Sequence, residues 1–346
     1  MRHLKSFALS AVIVAGLLSI NLFSPNLSAT PSTASAGDGT TAAAPVSPIA
    51  IVTESVHTAP TPLLWKLSNA DNTVYLLGSF HLLKADDYPL SVDVDNAFAA
   101  ADKVVFEVPP DQLFDPATAQ KFMVAAGYAD GGSLSEVLPA AMREKFNHIL
   151  ARSGSSIAQF DGFEPWFVNL SLMLGVSQSM GFSGENGLDQ HLIREAGKAG
   201  KPTGGLESID DQLNALDSTP MHEQVMALAE FIDSPEAMPG MLTGLHGAWR
   251  SADLDQLDRL AVREMRQKTP ETYRLINVAR NDAWVPQIQS MLEDAGDGNT
   301  LVVVGALHLL GEDGLVEQLR AKGYAVVRIC SACQVEAEAG EVAVGE

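Results

Sequence analysis

The sequence has little positive charge. It contains 22 Lys and Arg residues against 43 Asp and Glu residues, and its formal net charge is −21. Proteins that bind nucleic acid displace counterions with a basic face, and no run rich in Lys or Arg occurs here, so we expect no nucleic-acid partner. The same balance argues against tight adhesion to an anionic membrane surface, and it favours solubility and cationic partners, including metal ions.

Cysteine is also scarce, with two residues in the whole chain. Cys330 and Cys333 lie in the segment RICSACQ, at the end of the last predicted strand. Two cysteines cannot complete a four-ligand zinc site, and a thioredoxin-like pair belongs at a helix start after an early strand. We therefore favour a local disulfide, which an exported protein can form, over a pair of free thiols or a catalytic pair.

Several catalytic and nucleotide-binding motifs are missing. The chain has no Gly-x-Ser-x-Gly elbow of a serine hydrolase, and it has no Walker loop, no Gly-x-Gly-x-x-Gly dinucleotide motif and no His-Glu-x-x-His pair. Aromatic residues make up only 6% of the sequence, and no aromatic platform for carbohydrate is visible. Any active site must therefore be assembled from segments that lie far apart in the chain.

The first 36 residues have the pattern of a secretory signal peptide. A basic start precedes the apolar run FALSAVIVAGLLSINLF, and small residues suit cleavage after Ala29 or Ala36. We expect a periplasmic or secreted protein with no stable membrane span after cleavage; the alternative is an uncleaved N-terminal anchor. Residues 37–61 have the composition of a disordered linker, and residues 334–346 that of an acidic disordered tail.

We predict one α/β domain over residues 62–333, with a central mixed β-sheet built from both chain ends and a large helical middle region. The predicted strands are 63–68, 73–80, 103–108, 202–208, 301–306 and 325–330. The first two are expected to form a hairpin across the turn NADN, and the helical pattern after the second favours a βαβ unit. Residues 115–290 have helical spacing almost throughout.

Two apolar strands end in the same motif, VYLLGSFHLL and LVVVGALHLL. Chance predicts about 0.65 Gly-x-x-His matches from 28 Gly and 8 His in 346 residues, so the spacing alone means little. Both matches, however, follow an apolar strand and precede Leu-Leu, and this shared setting indicates a common site. Gly78 and Gly305 would allow a positive φ angle or a close approach. His81 and His308 would lie just beyond the carboxyl ends of their strands, where α/β sheets bind ligands. Imidazoles there can bind a divalent ion or transfer protons. The alternative is that the two histidines only cap loops through hydrogen bonds.

Four acidic residues lie at comparable positions. Glu107 ends the third strand and Glu207 the fourth, so either can serve as a metal ligand or a general base beside the histidines. Glu185 and Asp189 lie at a helix start and are expected to support the site. The alternatives are a water-facing Glu on an edge strand and carboxylates that complement a helix dipole.

A known family matches these residues. The segments LLWKLSNADNTVYLLGSFHLL, GLDQHLIREAGKAGKPTGGLES, RNDAWVPQI and LVVVGALHLLGEDGLVEQLRAKGYAV together resemble the TraB/GumN family, which includes PrgY and the TIKI proteases. The resemblance spans residues 62–330 and implies a fold similar to the erythromycin-esterase/ChaN-like group.

The resemblance also implies a metal-dependent protease. His81, His308 and Glu107 would hold a divalent ion, with manganese or cobalt favoured over zinc. Arg280 and Asn281, which would otherwise be assigned to a solvated helix face, would contact the substrate or the transition state.

The predicted function is an exported metal-dependent hydrolase that acts on a peptide or another small substrate. One alternative is a non-catalytic protein that binds or sequesters a peptide or haem, as the resemblance to PrgY and ChaN-like proteins implies. Another is an esterase that uses His81 as a base without metal. The sequence leaves the substrate, the metal and the oligomeric state open.

Overall fold

The computed structural model describes residues 58–293, 296 and 298–333. The predicted signal peptide (1–36), most of the predicted linker (37–61) and the predicted tail (334–346) lie outside the described residues. Within them, no helix is both long enough and apolar enough to cross a bilayer.

Within the described residues, six strands form one mixed sheet. They are β1 (Leu64–Ser68), β2 (Thr73–Ser79), β3 (Lys103–Phe106), β4 (Thr203–Gly205), β5 (Thr300–Gly305) and β6 (Val327–Ile329). Their order across the sheet is β4-β3-β5-β2-β1-β6. Strands β4, β3, β5 and β2 are parallel, whereas β1 is antiparallel to both of its neighbours. The predicted mixed sheet built from both chain ends is confirmed, because β5 and β6 lie beside β2 and β1.

Most of the helices of the described residues lie between β3 and β5, as predicted. The helices are α1 (Val92–Ala100), α2 (Pro110–Leu113), α3 (Pro116–Ala125), α4 (Leu134–Val137), α5 (Ala140–Ala151), α6 (Pro165–Ser179), α7 (Leu188–Ala199), α8 (Ile209–Asp217), α9 (Met221–Asp233), α10 (Met238–Arg250), α11 (Leu254–Leu257), α12 (Arg263–Lys268), α13 (Pro270–Tyr273), α14 (Ala279–Glu293) and α15 (Leu315–Ala321). Two π-helical segments, Asp258–Val262 and Arg274–Val278, join α11 to α12 and α13 to α14.

The predicted hairpin and βαβ unit are both present. The Asn69 side chain accepts the backbone N–H groups of Asp71 and Asn72, and this closes the turn between β1 and β2. Strands β2 and β3 are parallel and joined through α1, but β5 lies between them in the sheet. The crossover therefore passes over a strand that the chain supplies about 200 residues later.

Strand β5 lies at the centre of the core. All six of its residues are buried, which fits the predicted strand buried on both faces. Leu315, Val316 and Leu319 of α15 are buried as well, so this helix packs with the predicted apolar stripe inward. Each fully buried Val or Leu side chain contributes about 1.5–3 kcal/mol relative to an exposed one. Among the described strands, β5 is the most completely buried.

The chain after β6 is tied back to the first helix. Cys330 and Cys333 form the predicted local disulfide. Between them, the Ser331 hydroxyl and backbone N–H both donate to the carboxylate of Asp93 in α1. These contacts fix the end of the edge strand.

Candidate active site

The carboxyl ends of four parallel strands meet at one edge of the sheet. His81 lies two residues after β2, and Glu107 directly follows β3. Glu207 lies two residues after β4, and His308 lies three residues after β5. Because neighbouring parallel strands end side by side, these side chains converge. The two Gly-x-x-His segments lie on adjacent strands, since β2 pairs directly with β5.

The guanidinium of Arg280 occupies the centre of this group. Its Nε and Nη2 donate to Glu207 at 3.0 and 2.6 Å, and Nη2 also donates to Glu107 at 2.7 Å. Its Nη1 donates to the Ile276 carbonyl and to Nε2 of His308, both at 3.1 Å. All five guanidinium N–H groups are thus engaged within the protein. Burial alone would lower the pKa of Arg280, but the carboxylates of Glu107 and Glu207 raise it.

The helix that carries Arg280 is irregular where it meets the site. The π-helical segment Arg274–Val278 precedes α14, and the carbonyl of Ile276 within it accepts a hydrogen bond from the Arg280 side chain. Single π-helical turns occur frequently at functional sites. The guanidinium also lies 4.7 Å from the ring centroid of Trp284, one turn further along α14. Backbone and indole together hold the cation in a single position.

Glu107 is a buried carboxylate with three donors. Its Oε1 accepts the N–H of Gly305 at 2.7 Å, while Oε2 accepts from Arg280 at 2.7 Å and from the Gln212 side chain at 3.1 Å. Burial alone would raise the pKa of Glu107, but Arg280, followed by His308, His81 and the Gly305 N–H, lowers it to about 2. Glu107 is therefore ionised throughout the neutral pH range.

His308 is completely buried, with 0% of its surface exposed. Its Nδ1 lies 2.8 Å from Oδ1 of Asn281, whose Nδ2 donates to the carbonyls of His308 and Asp313. Because the Asn281 amide nitrogen is used on carbonyls, its oxygen accepts, which assigns the His308 proton to Nδ1. Nε2 then accepts from Arg280. Burial, followed by the charge of Arg280, lowers the pKa of His308 to about 3, so this imidazole is neutral.

His81 is the histidine that borders a surface cleft. Its Nδ1 lies 2.6 Å from Oδ2 of Asp189, and the hydroxyl of Ser79 donates to Oδ1 of the same carboxylate at 2.8 Å. Burial alone would lower the pKa of His81, but Asp189, followed by Glu107, raises it to about 9. Nδ1 is held by Asp189, whereas Nε2 makes no hydrogen bond with a described residue.

Gly305 makes room for the group. An ideal Cβ at this position would lie 3.3 Å from both Oε1 of Glu107 and Nε2 of His81, and 3.6 Å from Cδ2 of His308. A Cβ at Gly78 would come within 3.0 Å of a neighbouring side chain. Neither glycine has a positive φ angle, so close approach, rather than backbone conformation, is the reason for glycine at both motif positions.

A small cleft of about 30 Å³, measured as the space open to the centres of water molecules, opens beside His81. A second cavity, of about 30 Å³ by the same measure, lies among α6, α8 and α9 and is lined by none of the predicted site residues. The cleft beside His81 is lined by His81, Phe106, Glu107, Val108, Leu113, Asp189, Gln190, Ile193 and Gln212.

The structure brings together nearly all of the predicted site residues. Arg280 and Asn281 are buried rather than solvated, with 8% and 0% of their surfaces exposed. Asp189 and Glu207 each bind a central member of the group directly. Glu185 is not among them, because its side chain is exposed in the turn that precedes α7.

Other contacting residues were not anticipated. Ser79 lies inside the first Gly-x-x-His motif, so its position beside the histidine was a usable signal. Gln212 lies on the buried stripe of α8, between Ile209 and Leu216, and a polar residue on an apolar stripe indicates a buried partner. No pattern in the sequence assigned Trp284 to the site. Its indole contacts the ring of His308 and the guanidinium of Arg280.

The arrangement of donors does not fit the three-ligand metal site that the resemblance implies. Among the described residues, no three His, Cys, Asp or Glu side chains are arranged to hold an ion. The free lone pair of His308 faces an N–H of Arg280, and both oxygens of Glu107 already accept hydrogen bonds. An ion on His308 and Glu107 would have to displace a guanidinium, which repels cations.

Comparisons with known proteins identify the family of this chain. The model of the TraB/PrgY/gumN family matches residues 63–328, a range that contains every residue of the group. The proteins described as "Uncharacterized protein YbaP" in Escherichia coli strain K12 and Shigella flexneri are each 24% identical over 246 residues, which is 71% of this chain and 87% of theirs. No solved structure matches. The chain belongs to the TraB/PrgY/gumN family.

Proposed function

We propose that the protein is an exported hydrolase that cleaves an acyl bond in a peptide or ester, and that the cleft beside His81 is its active site. One observation carries this proposal: His81 is held at Nδ1 by a carboxylate while Nε2 has no side-chain partner beside an open cleft. This is the geometry of a general base with an orienting carboxylate. The predicted signal peptide supports export.

In the proposed reaction, His81 moves one proton in each direction. Its neutral Nε2 takes a proton from water while the water oxygen forms a bond to the substrate carbonyl carbon. The tetrahedral intermediate then collapses, the bond between the acyl carbon and the leaving group breaks, and the imidazolium returns the proton to the leaving group. Asp189 holds the ring and stabilises its charged form, as an acid partner of a catalytic histidine does.

The remaining members of the group position Glu107 and the turn after β5. Arg280 neutralises Glu107 and Glu207, and His308 and Asn281 hold Arg280 and the turn after β5. None of these contacts leaves a donor of Arg280 for the substrate. We therefore assign Arg280, Asn281 and His308 as positioning residues, which differs from the predicted role of Arg280 and Asn281 as contacts to the substrate or the transition state.

The proposal takes no step through a metal ion. We expect the purified protein to hydrolyse p-nitrophenyl acyl esters or members of a peptide library at rates that change less than twofold between excess EDTA and added manganese or cobalt. The physical reason is that Arg280 already occupies the position between His308 and Glu107. The measurement is the initial rate, with the metal content of the protein determined in the same samples.

Two results would contradict this. Activity that EDTA abolishes and manganese or cobalt restores would establish the metal-dependent form that the resemblance implies. Tight binding of peptide without turnover under either condition would instead support a sequestering protein.

A further inference from the structure

A hydrolase needs a hydrogen-bond donor for the carbonyl oxygen of its substrate, and neither Arg280 nor Asn281 supplies one. All five N–H groups of Arg280 are used within the protein. Both amide hydrogens of Asn281 face the carbonyls of His308 and Asp313. The donor must therefore come from a side chain that lines the cleft itself.

Gln190 is the cleft residue with an unused amide. It is 8% exposed, lines the cleft beside His81 and Glu107, and forms no side-chain hydrogen bond with a described residue. The other cleft amide, Gln212, is tied to Glu107 through Nε2. Its amide is therefore available to a ligand in the cleft.

The start of α7 holds Gln190 beside the base. The N–H of Leu188 donates to the carbonyl of Phe80 at 3.2 Å, and the next residue, Asp189, binds His81. Gln190 is thus fixed to the same turn of helix that orients the imidazole. A substrate carbonyl held by its amide would lie close to the water that His81 activates.

The rest of the cleft indicates what the acyl group is. No Lys or Arg lines it, so an anionic group would meet Asp189 and Glu107 without a free cation. Both carboxylates are already paired, so a cationic group would gain little. The other walls are apolar and consist of Phe106, Val108, Leu113 and Ile193.

We propose that Gln190 donates an amide N–H to the carbonyl oxygen of an uncharged aliphatic acyl group bound in this cleft. The inference rests on the proposed function for its reaction, but the binding that it describes can be measured without turnover. The substrate class is then neutral aliphatic acyl derivatives, and Gln190 is the residue that binds their carbonyl oxygen.

Binding of three probes of equal chain length tests the proposal. Hexanamide, hexanoate and hexylammonium are titrated into the wild-type protein and the Gln190→Ala and Gln190→Glu variants, with ligand-observed NMR as the measurement. We expect wild type to bind hexanamide at least tenfold more tightly than either ion. Both variants should lose about tenfold in hexanamide affinity, the value of one hydrogen bond together with its unpaired partner. Gln120→Ala, an exposed change on α3, should leave binding unchanged.

Each outcome decides the proposal. Equal binding of hexanoate, absent binding of hexanamide, or unchanged affinity in Gln190→Ala would overturn it, provided that thermal unfolding shows a folded variant. Hexanamide binding that depends on Gln190, together with no hydrolysis of any acyl substrate, would leave this inference standing and defeat the proposed function instead.

Discussion

Replacing His81 with alanine is expected to lower kcat/KM for acyl substrates by about 10³-fold, because a positioned general base typically contributes about 10²–10⁴-fold. Of the two motif histidines, His81 alone lines the cleft. Asp189 keeps its hydrogen bond from Ser79 in the variant, so we expect the protein to remain folded. The measurement is the initial rate with p-nitrophenyl hexanoate, with a thermal unfolding curve for each protein.

His148→Ala is the matched control, because His148 is an exposed histidine on α5. Its rate should agree with wild type within twofold. A folded His81→Ala protein that keeps half or more of the wild-type rate would remove His81 from the reaction.

Replacing Arg280 with methionine is expected to lower the free energy of unfolding by about 3–5 kcal/mol. Removal of one member of a buried ion pair leaves its partners charged and unpaired, and here two carboxylates, Glu107 and Glu207, would face each other. Methionine fills most of the volume, so the loss of charge, rather than a cavity, dominates. The measurement is urea denaturation at pH 7.

Two comparisons isolate the charge effect. Arg263→Met removes an arginine whose ion pair with Asp258 is on the surface, where its side chain is 60% exposed, and it should change stability by less than about 1 kcal/mol. Adding Glu207→Gln to Arg280→Met should recover part of the lost stability, because it removes one of the unpaired charges. If Arg280→Met lowers the free energy of unfolding no more than Arg263→Met does, the ion pairs of Arg280 with Glu107 and Glu207 do not stabilise the site.

The strands were predictable because their signals are local. Each apolar run is short and bounded by turn residues, and β5 contains an unbroken apolar run, residues 301–304, that only a central strand can bury on both faces. The order of the strands was not predictable in this way. Insertion of β5 between β2 and β3 depends on pairing across about 200 residues of chain, and no local pattern records such a pairing.

The convergence of the site followed from one rule, that parallel strands end at the same edge. That rule led correctly to the grouping of His81, Glu107, Glu207 and His308. It could not show that Arg280 and Asn281 are buried, because on their own helix they are neighbouring polar residues. Their burial depends on carboxylates and an imidazole that distant strands supply.

The sequence motifs could not predict that the two histidines have different roles. Both occur as Gly-x-x-His-Leu-Leu, yet one Nδ1 faces a carboxylate and the other an amide oxygen. Asp189 makes His81 a strong base, whereas Asn281 and Arg280 keep His308 neutral. Helices from the middle and the end of the chain therefore differentiate two identical motifs.

The pH dependence of kcat/KM in wild type and Asp189→Asn tests the central claim most directly. Since the neutral form of His81 is the base, the wild-type value should rise about tenfold per pH unit and level off near the pKa of about 9. Asparagine removes the larger of the two charges that raise this pKa and leaves the burial that lowers it, so the bend should move down from about 9 toward the ordinary histidine value of 6.5. A profile that is the same in both proteins, or a wild-type rate that falls with rising pH, would contradict the account.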